Sequence, residues 1–122
     1  MANVRYMVND VEQSIAFYVG HLGFEVKEQW GPAFAMIAKD DLTIWLSGPQ
    51  TSAAKPMPDG RQPIPGGWNR IVIQVDDLEA TVAKLAETGT VFRNTIVNGM
   101  GGKQILAEDP SGNPIELFEA GR

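Results

Sequence analysis

The sequence contains no cysteine and only one histidine, His21, among its 122 residues. The lack of cysteine excludes disulfide bonds, thiol nucleophiles and cysteine-ligated metals together. Histidine serves widely as a general base and as a metal ligand, so a single copy leaves little room for such chemistry. We expect His21 to cap the end of the first helix rather than to act in catalysis.

A surplus of positive charge is also missing, and so are long hydrophobic runs. There are 10 Lys and Arg against 15 Asp and Glu, a net charge of -5. This balance argues against a nucleic-acid partner, because such binding needs a concentrated basic face. No apolar run approaches the roughly 18 residues of a membrane-spanning helix, so we expect no membrane partner. The opening MANVRYMVND shows no secretory signal, which favours a cytoplasmic protein.

The composition, 43% hydrophobic and 20% charged, is that of a folded globular protein. Its strongest internal signal is a repeat. Residues 3–18, NVRYMVNDVEQSIAFY, align without gaps with residues 70–85, RIVIQVDDLEATVAKL, and Asp10 meets Asp77. In each copy, alternating apolar residues predict a strand, and the Asp predicts the N-cap of a helix.

Three further strands are predicted after each helix, so each half of the chain has the order β-α-β-β-β. The sequence therefore predicts an α+β fold of two tandem βαβββ modules within one domain, residues 1–122. The first module covers residues 1–48 and the second covers residues 68–122. Their last three strands are predicted at 24–30, 33–39 and 42–48, and at 90–97, 103–109 and 114–119.

A Pro/Gly-rich segment, residues 49–67, joins the two modules. Connections of this length are uncommon inside compact domains and are usually functional or linkers. Two interpretations stay open for it: a tether between the modules, or a lid over a ligand site.

Strand alternation collects polar and aromatic side chains on the sheet faces that turn away from the helices. Such a mixture, mostly apolar with a few polar anchors, is typical of a small-molecule site. The aromatic residues among them could equally fill space or form a dimer interface, and Trp68 could close the site or fasten the linker. The predicted ligand-binding residues are Asn3, Arg5, Phe34, Met36, Trp45, Trp68, Asn69, Arg70, Gln104, Glu116 and Phe118.

The doubled pattern, the helix DVEQSIAFYVGHLGF and the terminal EDPSGNPIELF together resemble the vicinal-oxygen-chelate superfamily of glyoxalases, bleomycin-resistance proteins and extradiol dioxygenases. The resemblance covers essentially the whole chain. It implies two modules whose curved mixed sheets form a cup, a small-molecule ligand and a homodimer. The superfamily includes metal enzymes as well as metal-free proteins that only sequester a drug.

Metal-binding members of the superfamily place ligands at four equivalent strand positions, usually two His or Gln and two Glu. Carried onto this sequence, the resemblance puts these positions at Asn3, at Trp45 or a neighbour of it if the strand register shifts by one, at Arg70 and at Glu116. Only Glu116 binds a divalent metal well, and the permanent cation of Arg70 would repel one. The resemblance therefore implies that the metal site has been lost, and no cofactor is expected.

Arg70 and Glu116 are expected to form a charge-assisted pair. This pair either satisfies two semi-buried charges or, with Arg5, anchors an oxygen of the ligand. We favour a metal-free protein that binds an amphipathic or anionic small molecule and catalyses no reaction. The alternative is a metal-dependent glyoxalase-like lyase or isomerase, or a dioxygenase, with Glu116 as a metal ligand or catalytic group.

Overall fold

A computed structural model of the chain describes residues 2–121. It contains two compact units, the first ending at Gly66 and the second beginning at Gly67. Both units are built from one helix and one four-stranded mixed sheet. Within the described residues, neither helix combines the length and the apolar character that crossing a membrane would require.

The first unit has the predicted order β-α-β-β-β. Its sheet has the strand order β1-β4-β3-β2, with β1 parallel to β4 and the other neighbours antiparallel. A single short 3-10 turn, Ser52–Ala54, follows in the linker. The elements are β1 (Ala2–Met7), α1 (Val11–Leu22), β2 (Glu25–Trp30), β3 (Phe34–Lys39) and β4 (Leu42–Ser47).

Local sequence signals explain where α1 begins and ends. The Asp10 side chain accepts a hydrogen bond from the Gln13 N–H at 3.1 Å, which satisfies a free N–H of the first turn. Gly23, at φ 78°, ends the helix in the left-handed conformation that favours glycine. The sheet packs beneath α1 through fully buried side chains of β3 and β4: Ala35, Ile37, Ile44 and Leu46.

The second unit repeats this topology, with the strand order β5-β8-β7-β6 and β5 parallel to β8. Asp77 caps its helix by accepting from the Ala80 N–H at 3.0 Å. Ile115 and Leu117 of the central strand are fully buried. The elements are β5 (Ile71–Gln74), α2 (Leu78–Glu87), β6 (Val97–Asn98), β7 (Gly102–Glu108) and β8 (Pro114–Ala120).

The predicted strand over residues 90–97 is wrong for most of its length. Only Val97–Asn98 pairs with β7 as a strand, and Phe92 forms an isolated bridge to Ala107. The reason lies at Asn94, whose side-chain Oδ1 accepts a hydrogen bond from the Leu106 N–H at 2.9 Å. A side-chain oxygen thus occupies a donor that a regular ladder would have paired with backbone.

Candidate functional site

The first unit presents a mixed aromatic and polar surface on the sheet face that turns away from α1. Residues paired across a ladder share one face of the sheet. Trp45 is paired with Arg5 on one side and with Met36 on the other, so these three side chains form one row. Phe34 is paired with Ser47 and with Trp30, which gives the next row.

Three aromatic rings on this surface contact one another in series. The Trp30 and Phe34 ring centroids are 5.3 Å apart, and those of Phe34 and Trp45 are 6.2 Å apart with the rings nearly perpendicular. Phe34 is buried, whereas Trp30 is 65% exposed. We call Trp30, Phe34 and Trp45 the aromatic row. The Trp30 ring of this row is exposed to solvent and is contacted by the buried Phe34 ring, which in turn contacts Trp45.

Arg5 lies at one end of the aromatic row. Its guanidinium carbon is 5.1 Å from the centroid of the Trp45 ring, within cation–π range. Arg5 Nη1 also donates to Ser47 Oγ at 3.1 Å. Ser47 is fully buried, and its hydroxyl lies 3.4 Å from the Trp45 carbonyl oxygen, to which it donates. Among the described residues, the guanidinium is therefore held by a ring and a buried hydroxyl rather than by an acid.

The second unit places a different pair on the corresponding face. Arg70 donates from Nη2 and Nε to the same oxygen, Oε1 of Glu116, at 3.0 and 3.2 Å. Arg70 Nη1 also donates to the Trp68 carbonyl at 3.3 Å. The side chains are 28% exposed for Arg70 and 12% exposed for Glu116. The predicted charge-assisted pair is thus present, and it links the residues just before β5 to strand β8.

A second arginine of this unit, Arg93, is not singled out by any pattern in the sequence. It donates to Glu108 Oε2 at 2.7 Å and to the carbonyls of Gly67 at 2.6 Å and Gly112 at 3.0 Å. Its guanidinium also lies 4.6 Å from the centroid of the Trp68 ring. Trp68 therefore packs on Arg93 where the linker ends, although its ring stays 68% exposed.

The remaining predicted residues fall on the same faces. Asn3 is exposed and is paired with Thr43 on β4 of the first unit. In the second unit, Gln104 and Phe118 are paired across β7 and β8 and are half-buried, while Asn69 is exposed before β5. Within each unit the predicted residues that lie on strands therefore share a face, whereas Trp68 and Asn69 precede β5 and belong to no strand. Their assignment to a ligand stays a prediction.

Trp30 and Ser47 were also missed, although a signal for Trp30 exists. The turn that joins β2 to β3 has three residues, 31–33, and counting outward from it sets Trp30 opposite Phe34. The position of Arg93 carried no such signal, because it depends on the irregular path of residues 90–96.

The positions at which the superfamily implies metal ligands do not fit a metal here. In the first unit they offer an indole, Trp45, and a neutral amide, Asn3. In the second unit, the one good ligand, Glu116, already accepts two hydrogen bonds from Arg70 on one oxygen. Divalent transition metals need several imidazole, thiolate or carboxylate ligands, which this set lacks.

A separate acidic cluster in the second unit also belongs to the fold. Asp77, Glu79 and Glu119 bring one oxygen each within 4.8 Å of the others. Glu119 accepts from the Leu78 N–H at the start of α2. Lys103 Nζ lies 2.6 Å from Glu79 and 3.7 Å from Glu119, and the hydrogen bond to Glu79 raises the pKa of Lys103. The helix cap and this lysine account for the cluster.

Two βαβββ units, each with its helix on one side of a four-stranded sheet, define a tandem-module α+β protein with a mixed polar and aromatic face in each unit. The sequence profile of the Glyoxalase/Bleomycin resistance protein/Dioxygenase superfamily matches residues 1–117. The chain belongs to this superfamily, which confirms the resemblance.

Solved structures with the same fold cover nearly the whole chain. One is a superfamily member from Sphaerobacter thermophilus DSM 20745, 27% identical with TM-score 0.76, over 98% of this chain and 95% of that one. Another is TnmS3, an antibiotic binding protein from Streptomyces sp. CB03234, 26% identical with TM-score 0.73, over 98% and 93%. Lactoylglutathione lyase from Agrobacterium tumefaciens, 16% identical with TM-score 0.74 over 98% and 92%, shares the fold. No curated protein sequence gives a significant match.

Proposed function

We propose that this protein is a metal-free small-molecule-binding member of the superfamily, taking an amphipathic or anionic ligand on the sheet faces opposite its helices. The ligand contacts come from the aromatic row and from the polar side chains beside it. A homodimer in the cytoplasm, expected from the resemblance and the sequence, is part of the same proposal.

The observation that carries the metal-free part is the Arg70–Glu116 pair. A metal site at this position would need the carboxylate of Glu116 to be free to bind the metal. Here Arg70 donates two hydrogen bonds to one oxygen of that carboxylate. A guanidinium at this distance neutralises the carboxylate and electrostatically opposes a second cation.

The solved relatives support the binding part. TnmS3, which is 26% identical to this chain, is an antibiotic binding protein. The exposed ring of Trp30 and the half-buried ring of Trp45 supply the kind of surface on which a flat, partly apolar molecule is bound.

The test is the metal content of protein purified without chelators or metal-affinity resin, before and after incubation with excess Zn²⁺, Ni²⁺, Mn²⁺ and Fe²⁺. The proposal predicts far less than one metal ion per chain in every case. One tightly held ion per chain, lost in Glu116→Gln but kept in the matched surface variant Glu87→Gln, would contradict it. That result would assign the chain to the metal-dependent lyases, isomerases or dioxygenases.

A further inference from the structure

The arginines of the described residues 2–121 differ in how their charge is balanced. Arg61 is paired with Asp59, Arg70 with Glu116 and Arg93 with Glu108. Arg5 has no carboxylate partner within this part of the chain. A guanidinium carries five N–H donors, and Arg5 uses one of them, to Ser47.

Arg5 is exposed, but two contacts favour one position of its guanidinium. The guanidinium carbon lies 5.1 Å from the centroid of the Trp45 ring, and Nη1 donates to the buried Ser47 hydroxyl. Holding a long side chain in one conformation costs conformational entropy, and a cation kept beside a ring without an anion is poised to accept one. The remaining donors form a planar fork that suits a carboxylate or phosphate.

The charge of this face changes from one edge of the sheet to the other. Arg5 lies on the edge strand β1, and the aromatic row occupies the strands beyond it. Glu28 lies on the opposite edge strand, β2, where it is paired with Met36. Neighbouring strands are about 4.8 Å apart, so a fused two-ring system reaches from β1 across the next two strands.

We infer that the first unit binds a flat aromatic anion, with the anionic group on Arg5 and the ring system against the aromatic row. This inference rests on the proposed small-molecule-binding function and narrows its ligand class. Glu28 adds a small preference for this orientation, because it repels the anionic group from the far edge of the sheet.

The experiment compares three probes by calorimetric titration of the full chain: naphthoate, its neutral isostere naphthamide, and cyclohexane carboxylate. Charge-assisted hydrogen bonds favour naphthoate over naphthamide by about tenfold or more. Loss of ring stacking weakens cyclohexane carboxylate by a similar factor. Equal affinity for naphthoate and naphthamide would overturn the inference while leaving small-molecule binding intact.

Variants locate the site. In Arg5→Gln the preference for naphthoate over naphthamide disappears, whereas in the matched variant Arg61→Gln it remains, because Arg61 lies in the exposed linker and is paired with Asp59. Trp45→Leu weakens both aromatic probes alike. Glu28→Gln strengthens naphthoate by about twofold and leaves naphthamide unchanged, since one distant exposed charge is largely screened. A preference that survives Arg5→Gln would overturn the assignment.

Probe binding tests the aromatic-anion ligand class, and metal content tests the metal-free proposal. If no probe binds, the aromatic-anion class is wrong. The metal measurement then decides whether the metal-free proposal fails as well. If Arg5→Gln or Trp30→Ala instead converts a dimer to a monomer in sedimentation, and no probe binds, the occupant of this face is a second copy of the chain.

Discussion

The two units share one topology but use their arginines in opposite ways. By the repeat, Trp45 of the first unit and Glu116 of the second occupy equivalent places on the central strand. In the first unit the guanidinium of Arg5 lies 5.1 Å from the centroid of the Trp45 indole and, among the described residues, uses one donor, to Ser47. In the second unit a guanidinium is held by the carboxylate and by the Trp68 carbonyl.

On the proposed function, the same strand position serves ligand recognition in the first copy of the repeat, whereas in the second copy it holds an ion pair. An anionic ligand that binds a paired arginine must first break the existing ion pair, and this lowers its binding free energy. An arginine that contacts only a ring and a hydroxyl requires much less to be broken. The first unit is therefore the better place for an anion, although both faces have an arginine.

The largest expected effect tests whether the two cores are equivalent. Leu46 and Leu117 occupy matching buried positions beneath the helices. Leu46→Ala and Leu117→Ala should each lower the free energy of unfolding by about 2–5 kcal/mol, through lost burial and the cavity left behind. Urea unfolding followed by circular dichroism measures this. A large loss for one and almost none for the other would show that the cores are not equivalent.

The next effect separates the paired arginine from the stacked one. Arg70→Met leaves the mostly buried Glu116 carboxylate without its cation and should cost about 1–3 kcal/mol, between the values for exposed and buried pairs. Arg5→Met leaves no carboxylate unpaired among the described residues and should cost less than about 0.5 kcal/mol.

Other substitutions at the same two arginines report on ligand binding. Arg70→Ala should lower the free energy of unfolding and leave naphthoate affinity unchanged. Arg5→Gln should weaken naphthoate binding and leave the free energy of unfolding nearly unchanged. A loss of naphthoate affinity in Arg70→Ala that exceeds the loss in Arg5→Gln would move the anion site to the second unit.

A smaller difference is expected at the two helix caps. Asp10→Ala removes the cap of α1 and should cost about 1 kcal/mol. Asp77→Ala should cost about half as much, because Glu119 also accepts from the Leu78 N–H at 2.8 Å and keeps the start of α2 partly capped. Thermal melts of the two variants compare the costs directly. Equal costs would mean that the contact of Glu119 adds nothing.

The smallest effect is confined to the second unit and to high pH. The hydrogen bond to Glu79 raises the pKa of Lys103, so the stability it contributes is fully present below the unfolded lysine value of about 10.4. That contribution is lost as the pH rises through the raised pKa. Lys103→Met should flatten this part of the stability profile, whereas the same change at Lys55, in the linker, should leave it as in the parent protein.

Much of the fold could be predicted because the internal repeat and the alternation of apolar residues indicate the helices and strands. The repeat fixed both helices, and alternation set Ile44 and Leu117 inward and Trp45 and Glu116 outward, as observed. The strand prediction for residues 90–97 was wrong because their composition is typical of a strand, although the Asn94 side chain accepts a hydrogen bond from the Leu106 N–H of β7. Such bonds depend on a neighbour twelve positions away, which local patterns do not record.

The candidate site was predicted less completely for a related reason. Arg70 and Glu116 could be matched through the repeat and the resemblance. The roles of Arg93 and Ser47 could not, because both depend on loop and strand contacts that have no counterpart in the other copy. The absence of a carboxylate beside Arg5 in the described chain also emerges only from three-dimensional contacts.

The most direct measurement uses the three tryptophans as reporters, since each carries one indole N–H. Proton–nitrogen NMR would follow these signals during titration with naphthoate. The account predicts saturable shifts for Trp30 and Trp45 and none beyond dilution for Trp68. A saturable shift of Trp68, with Trp30 and Trp45 unmoved, would contradict it.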